Sequence, residues 1–267
     1  MRELAIIGLG LMGGTFARHL LEGGYVVRGF DVVPSKMEEL TPSGLRGARS
    51  AAEASAGAEL VITSLPNHHI VEEAVLGAGG VLEGLPRGAI IADTSTVPPA
   101  WTRRMAGRVE ARGVRWLDCP VSGTSAQARR KDLVVMGGGE REVFERCRPV
   151  FDTLGKRTLY VGPHGQAAQL KLIVNLVLFV NMAGAAEGLI LGKKAGIDPE
   201  VLLDALCSGA GSSNVLQVRG NTMLKEDFTP AGPISTLLKD MDCILDSAKE
   251  LDVPLPLTAL AHQLYLV

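Results

Sequence analysis

Apolar and polar positions change rhythm once along this chain. Up to about residue 162, short runs rich in Val, Ile and Leu recur: "ELAIIG" (3–8), "YVVRGF" (25–30), "ELVITSL" (59–65), "GAIIAD" (88–93), "VRWLD" (114–118), "DLVVMGG" (132–138) and "RTLYVG" (157–162). Between several of them lie stretches of helical composition such as "TFARHLLEGG" and "AWTRRMAGRVEARG". Strand and helix alternating at this interval predict βαβ units and a mostly parallel, doubly wound sheet. The undiluted apolar content of the runs fits strands buried on both faces. After Gly162 the strand-like runs stop. "GQAAQLKLIVNLVLFVNMAGAAEGLILGKKAG" predicts one long helix with Gly196 as its C-terminal cap. Asp198 and Pro199 then mark the start of another helix, and further helical segments are broken at "GAGSSN" and "FTPAGP". The expected fold class is therefore α/β. The sheet domain spans 1–163, and an all-α domain over 164–267 is entered by the long helix.

That helix is the one membrane suspect. Its longest uncharged run, Leu172 to Ala186, has 15 residues, fewer than the ~20 a spanning segment needs, and is read as a core helix. The opening "MRELAIIGLG" runs straight into a glycine-rich loop and does not read as a signal peptide. A formal net charge of −2 supplies no basic field for nucleic acid or an anionic membrane. Cys119, Cys147, Cys207 and Cys243 are far apart, so reduced thiols and a cytoplasmic location are expected.

The first chemical signal is Gly8-Leu9-Gly10-Leu11-Met12-Gly13, a GxGxxG directly after a predicted strand and before a predicted helix. Such glycines permit a tight turn, close approach of a pyrophosphate, and helix–strand packing, while the helix N-terminus presents its N–H groups to the anion. Asp31 follows the second strand, 18 residues beyond Gly13. A carboxylate there accepts from the adenosine ribose 2′-hydroxyl and repels a 2′-phosphate, which favours NAD over NADP. The sheet is thus expected to be a Rossmann domain.

Other signals are weaker singly. "DCPVSGTSAQA", from Asp118, falls at the carboxyl edge of the sheet, where open α/β folds bind ligands. Ser122 and Thr124 offer hydroxyls and Gly123 a turning backbone suited to a small anion, although a plain Ser/Gly turn has the same composition. Lys171 and Asn175, four residues apart, share a helix face. A lysine in a dry pocket beside a cationic nicotinamide is shifted toward neutrality and can exchange a proton with a substrate hydroxyl. A lysine snorkelling to the surface is the competing reading. Lys239 and Asp240 in "LLKDMD" read alone as a solvated pair. His68 and His69 suggest a surface loop, His164 a helix start, and Met12, Met136 and Met182 packing. No metal-ligand spacing is present.

Taken in order, "IIGLGLMGG", "FDVVP", "SLP", "DTSTVPP", "DCPVSG", "GPHGQAAQLKLIVN" and "LLKDMD" resemble the β-hydroxyacid dehydrogenases, the family of 3-hydroxyisobutyrate dehydrogenase, over essentially the whole chain. The resemblance implies oxidation of a small 3-hydroxy acid to its semialdehyde, or the reverse, at a cleft between the two domains. It implies that the glycine loop and Asp31 hold NAD, and that Leu65, Pro66 and Thr96 line the nicotinamide side. Ser122, Gly123 and Thr124 would hold the substrate carboxylate. Lys171 would be the acid/base, Asn175 its substrate-orienting partner, and Lys239 a cofactor contact from the helical domain. Val32 and Val33 stand where NADP-preferring members have Arg, and again fit NAD. Three positions depart from the family pattern: Thr124 and Lys131 replace glycines, and the sequence stops at "HQLYLV", short of the usual last helix. An NADPH-linked semialdehyde, glyoxylate or imine reductase, and a non-catalytic dinucleotide-binding protein, are the alternatives. The long apolar helix further suggests a homodimer or homotetramer.

Overall fold

The computed structural model describes residues 1–227, 229 and 233–266; Phe228, Pro230, Ala231 and Gly232 of the "FTPAGP" break lie outside the described residues, as does Val267. The chain divides into two compact units, Met1–Lys171 and Leu172–Val267. The division falls inside the long helix.

In the first unit the strands are β1 (Glu3–Ile7), β2 (Val26–Phe30), β3 (Arg46–Gly47), β4 (Leu60–Thr63), β5 (Ile90–Asp93), β6 (Arg115–Asp118), β7 (Val121–Ser122), β8 (Val134–Gly139) and β9 (Arg157–Gly162). The helices among them are α1 (Leu11–Glu22), α2 (Pro34–Glu38), α3 (Ala51–Ser55), α4 (His68–Leu76), α5 (Val81–Gly84), α6 (Pro99–Glu110), α7 (Ser125–Arg129) and α8 (Arg141–Phe151). The described strands form one sheet in the order β3-β2-β1-β4-β5-β6-β8-β7, with β9 paired to β8. Pairings from β3 across to β6 are parallel, as is β8 with β9. Strand alternation fills both faces. Leu4, Ile6, Leu60, Ile62 and Ile90 pack with Phe16 and Leu20 of α1 on one side. Ala5, Ile7, Val61 and Ile91 pack with Trp101 and Trp116 on the other.

The predicted parallel sheet is thus present, with an antiparallel interruption. β8 runs antiparallel to β6 and β7, because the chain turns back through the short β7 and α7 instead of making a full crossover. His68 and His69 do not sit in a loop. They open α4, whose N-cap is the Asn67 side chain accepting from the Ile70 N–H, and their rings lie 3.9 Å apart.

The second unit continues α9 (Gln166–Lys194) and adds α10 (Pro199–Ser208), α11 (Asn214–Leu224), α12 (Ile234–Glu250) and α13 (Pro256–Leu266). As predicted, Gly196 adopts a left-handed backbone after α9, and Asp198 caps α10. Leu172 and Phe179 of α9 pack with Met241, Ile244 and Ala261. Ala185 and Leu189 pack with Leu202 and Leu216. α9 thus supplies both apolar clusters of the unit, but its own chain covers only part of it. By length and composition α9 could cross a membrane, and only 22% of its most apolar window is buried within this single chain. Ile173, Val177, Leu178, Ile190 and Leu191 are exposed, because α9 is apolar on more sides than its neighbours in the unit cover.

One departure from the family pattern has a backbone explanation. Lys131 holds φ at 57°, the left-handed region that glycine occupies without a side-chain penalty. Its ion pair with Glu22, 3.6 Å long and exposed, offsets little of that strain. Lys131→Gly should therefore stabilise the first unit by up to ~1 kcal/mol, read from the midpoint of urea unfolding.

Candidate functional site

The glycine loop is built by contact distances. Gly8 has φ 89°, and a side chain there would collide with the Ser64 carbonyl. A Cβ on Gly13 would overlap the Gly8 carbonyl oxygen, so α1 can approach β1 only as glycine. Gly10, by contrast, faces open space, and no side chain caps α1. Turn, approach and packing are thus divided among the three glycines, leaving a helix N-terminus open to an anion.

Asp31 belongs to the same site. It is buried just beyond β2; its Oδ2 accepts from the Leu9 N–H at 2.7 Å and its Oδ1 from the Val33 N–H at 2.9 Å. Lys36 Nζ lies 3.3 and 3.2 Å from the two oxygens. Phosphate loop and acid are therefore one hydrogen-bonded unit that fits an adenosine dinucleotide.

Two further aspartates end strands beside each other, Asp93 on β5 and Asp118 on β6, paired in register and both 1% exposed. Sequence reasoning passed over Asp93 and treated Asp118 only as the start of a motif. Asp93 Oδ1 accepts from the Thr63 hydroxyl at 2.8 Å and the Ser95 N–H at 3.1 Å, and the Ser95 hydroxyl accepts from the Leu65 N–H at 3.0 Å. Asp93 thereby organises the loops holding half-buried Leu65, exposed Pro66 and half-buried Thr96. Asp118 accepts from the Gly165 N–H with both oxygens at 3.1 Å, and from the Ala168 N–H at 3.0 Å. Burial pushes both carboxyls up, Asp93 to about 6; the donors named, and the His164 ring near Asp118, work against that rise. The missed signal is legible afterwards: three apolar strands lead directly into an aspartate, "GFD", "IAD" and "WLD".

Between β7 and α7, Thr124 does not present a spare hydroxyl. It is the N-cap of α7 in a reciprocal capping box with Gln127, taking the Gln127 N–H and donating its own N–H and hydroxyl to Gln127 Oε1. The Ser122 hydroxyl and the Gly123 N–H take no part in that box. Lys171 is half-buried on α9, in the turn after Ala168. His164 is bonded to Glu110 at 3.1 Å.

Within the second unit Asn175 is buried, and its amide donates to Asp240 Oδ2 at 2.8 Å; Lys239 Nζ lies 2.9 Å from Asp240 Oδ1. The pair Lys239–Asp240 is therefore not a solvated one. Asp240 is 6% exposed, and it links two predicted site residues that are 64 positions apart.

Residues 3–162 match the family model described as the NAD binding domain of 6-phosphogluconate dehydrogenase. Residues 165–267 match that described as NAD-binding of NADP-dependent 3-hydroxyisobutyrate dehydrogenase. Among similar proteins of Pseudomonas aeruginosa, 3-hydroxyisobutyrate dehydrogenase is 35% identical and NAD-dependent L-serine dehydrogenase 33%; each alignment covers 99% of this chain and 91% of the relative. The crystal structure of 3-hydroxyisobutyrate dehydrogenase from Salmonella typhimurium superposes with a TM-score of 0.91 at 29% identity, covering 100% of this chain and 93% of that one.

The Asp93 geometry carries a pH prediction. With its pKa raised from about 3.9 to about 6, the folded state binds the proton more tightly than the unfolded chain. Stability is thus lost as pH rises through this window, reaching a cost of ~3 kcal/mol above it. Asp93→Asn should gain on the wild type by about that amount between pH 4 and pH 7.5, measured by urea unfolding; a constant difference would refute it.

Proposed function

The chain belongs to the β-hydroxyacid dehydrogenase family, and from that premise we propose that it oxidises a small 3-hydroxy acid, such as 3-hydroxyisobutyrate, to its semialdehyde, or runs the reverse reduction, with NAD. The observation that most supports the cofactor half is the bond from the Leu9 N–H to Asp31, which makes phosphate loop and ribose-reading acid a single site. Gly8, Leu9, Gly10, Leu11, Met12 and Gly13 hold the pyrophosphate, Asp31 the adenosine ribose, and Leu65, Pro66 and Thr96 the nicotinamide side. Lys239 is assigned a cofactor contact. When bound, the nicotinamide accepts or supplies the hydride.

The remaining chemistry falls to the chain's own side chains. Ser122 and Gly123 donate hydrogen bonds to the substrate carboxylate, with the Thr124 cap setting the loop's shape. Lys171 takes the proton from the substrate hydroxyl during oxidation and returns it to the carbonyl oxygen during reduction. Asn175 orients the substrate oxygen, while Asp240 holds its amide.

A specific observation favours a second cofactor reading. An ionised carboxylate offers about four lone-pair positions. Asp31 uses two on the Leu9 and Val33 N–H groups and two on Lys36. Lys36 must move aside for a ribose diol to bind, and it is the cation at hand for a 2′-phosphate. NADPH is therefore the second reading.

Lys171→Ala should lower turnover ~10²–10⁴-fold with NAD binding nearly intact, in assays across 3-hydroxyisobutyrate, glycerate, serine, 4-hydroxybutyrate and threonate. Full activity in that variant excludes the mechanism. Lys36→Gln should shift the ratio of NADPH to NADH dissociation constants ~2–5-fold toward NADH, followed by fluorescence titration.

A further inference from the structure

Helix α9 begins without a capping side chain of its own. The position before it is Gly165, at φ 85°, where a Cβ would come within 2.9 Å of the Pro99 carbonyl oxygen. The first N–H groups of a helix have no partner inside it and must find one elsewhere. Here the partner arrives from 47 residues away: Asp118, at the end of β6, takes the N–H groups of Gly165 and Ala168. A negative charge at that end also opposes the positive pole of the helix dipole.

A third residue is given over to this contact. Gly138 faces Asp118 across the β6–β8 pair, and a Cβ on Gly138 would lie 2.7 Å from both carboxylate oxygens. Glycine in a strand interior weakens the strand, and here it leaves the volume the carboxylate fills. Asp118, Gly138, Gly165 and Lys171 all lie in the first unit.

Resting on the reading of Lys171 as acid/base, we infer that Asp118 is a positioning residue: it fastens the first turn of α9 to the end of β6 and so sets where Lys171 stands relative to Ser122 and Gly123. Ser122, at the end of β7, lies four residues after Asp118, and Lys171 follows Ala168 by less than one helical turn. One carboxylate thus joins the carboxylate-binding loop to the proton-transfer group. Displacement of a reacting group by about 1 Å costs up to ~10²-fold in rate.

The test is a cycle of Asp118→Asn, Asp118→Ala, Gly138→Ala and the double variant Asp118→Ala/Gly138→Ala, with Lys171→Ala as control. Each is assayed per folded molecule after a thermal melt, together with NAD affinity. Asp118→Asn keeps the shape and one acceptor, and should lower kcat ~10–100-fold with the dissociation constant for NAD unchanged within twofold. Gly138→Ala, which touches no proposed ligand, should lower kcat in the same direction by crowding the carboxylate. In the Asp118→Ala background the Gly138→Ala change should cost nothing further. Wild-type kcat in Asp118→Asn, or the same Gly138→Ala loss with and without the carboxylate, overturns the inference. Turnover surviving in Lys171→Ala overturns instead the underlying reading of the lysine.

Discussion

A carboxylate cannot be taken out of water unless donors are brought to it, and the first unit is organised around meeting that demand three times. Asp31, Asp93 and Asp118 lie at or just beyond the carboxyl ends of β2, β5 and β6, and all are buried. Each takes at least one donor from a segment remote in sequence: the Leu9 N–H for Asp31, the Thr63 hydroxyl for Asp93 and the Gly165 N–H for Asp118. Asp31 gathers the loop that leads into α1, Asp93 gathers the turns after β4 and β5, and Asp118 gathers the start of α9. The carboxyl edge of a parallel sheet is where backbone groups run out of strand partners. These side chains supply partners to backbone groups at that edge.

Space and charge are matched in the same places. Gly13 lets α1 come close enough for the Leu9 N–H to reach Asp31, and Gly138 leaves the volume that the Asp118 carboxylate fills. In the second unit Asp240 repeats the pattern, receiving the Asn175 amide on one oxygen and Lys239 on the other. The loop after β6 is held differently. Thr124 and Gln127 satisfy each other in a reciprocal capping box.

Much of this was legible in the residues. The apolar runs located the main strands because burial on both sheet faces admits little else there. The glycine spacing located the dinucleotide loop because only glycine survives the distances at positions 8 and 13. Asp198 and Gly196 marked helix ends through local backbone chemistry. What escaped was non-local. Strand direction leaves no mark on composition, so the reversal at β8 was invisible. The partners of Asp118 lie 47 to 50 residues away, beyond any spacing rule. Helix α9 is apolar on most sides, so no periodicity could say which side its own chain covers.

Thr124 and Asp118 lie in one short motif yet answer to different partners, which divides it into a part that can vary and a part that cannot. Ser122 pairs with Val134 of β8, and beyond it the segment is held by the Thr124–Gln127 box, the Gln127 amide on Asp132 and the Ala128 carbonyl against the His19 ring. Asp118 is bound to two other elements through Gly138 and Gly165, and changing it means changing all three at once. A change at the Thr124–Gln127 box therefore has one reciprocal pair to satisfy, whereas a change at Asp118 has a strand and a helix start to satisfy together.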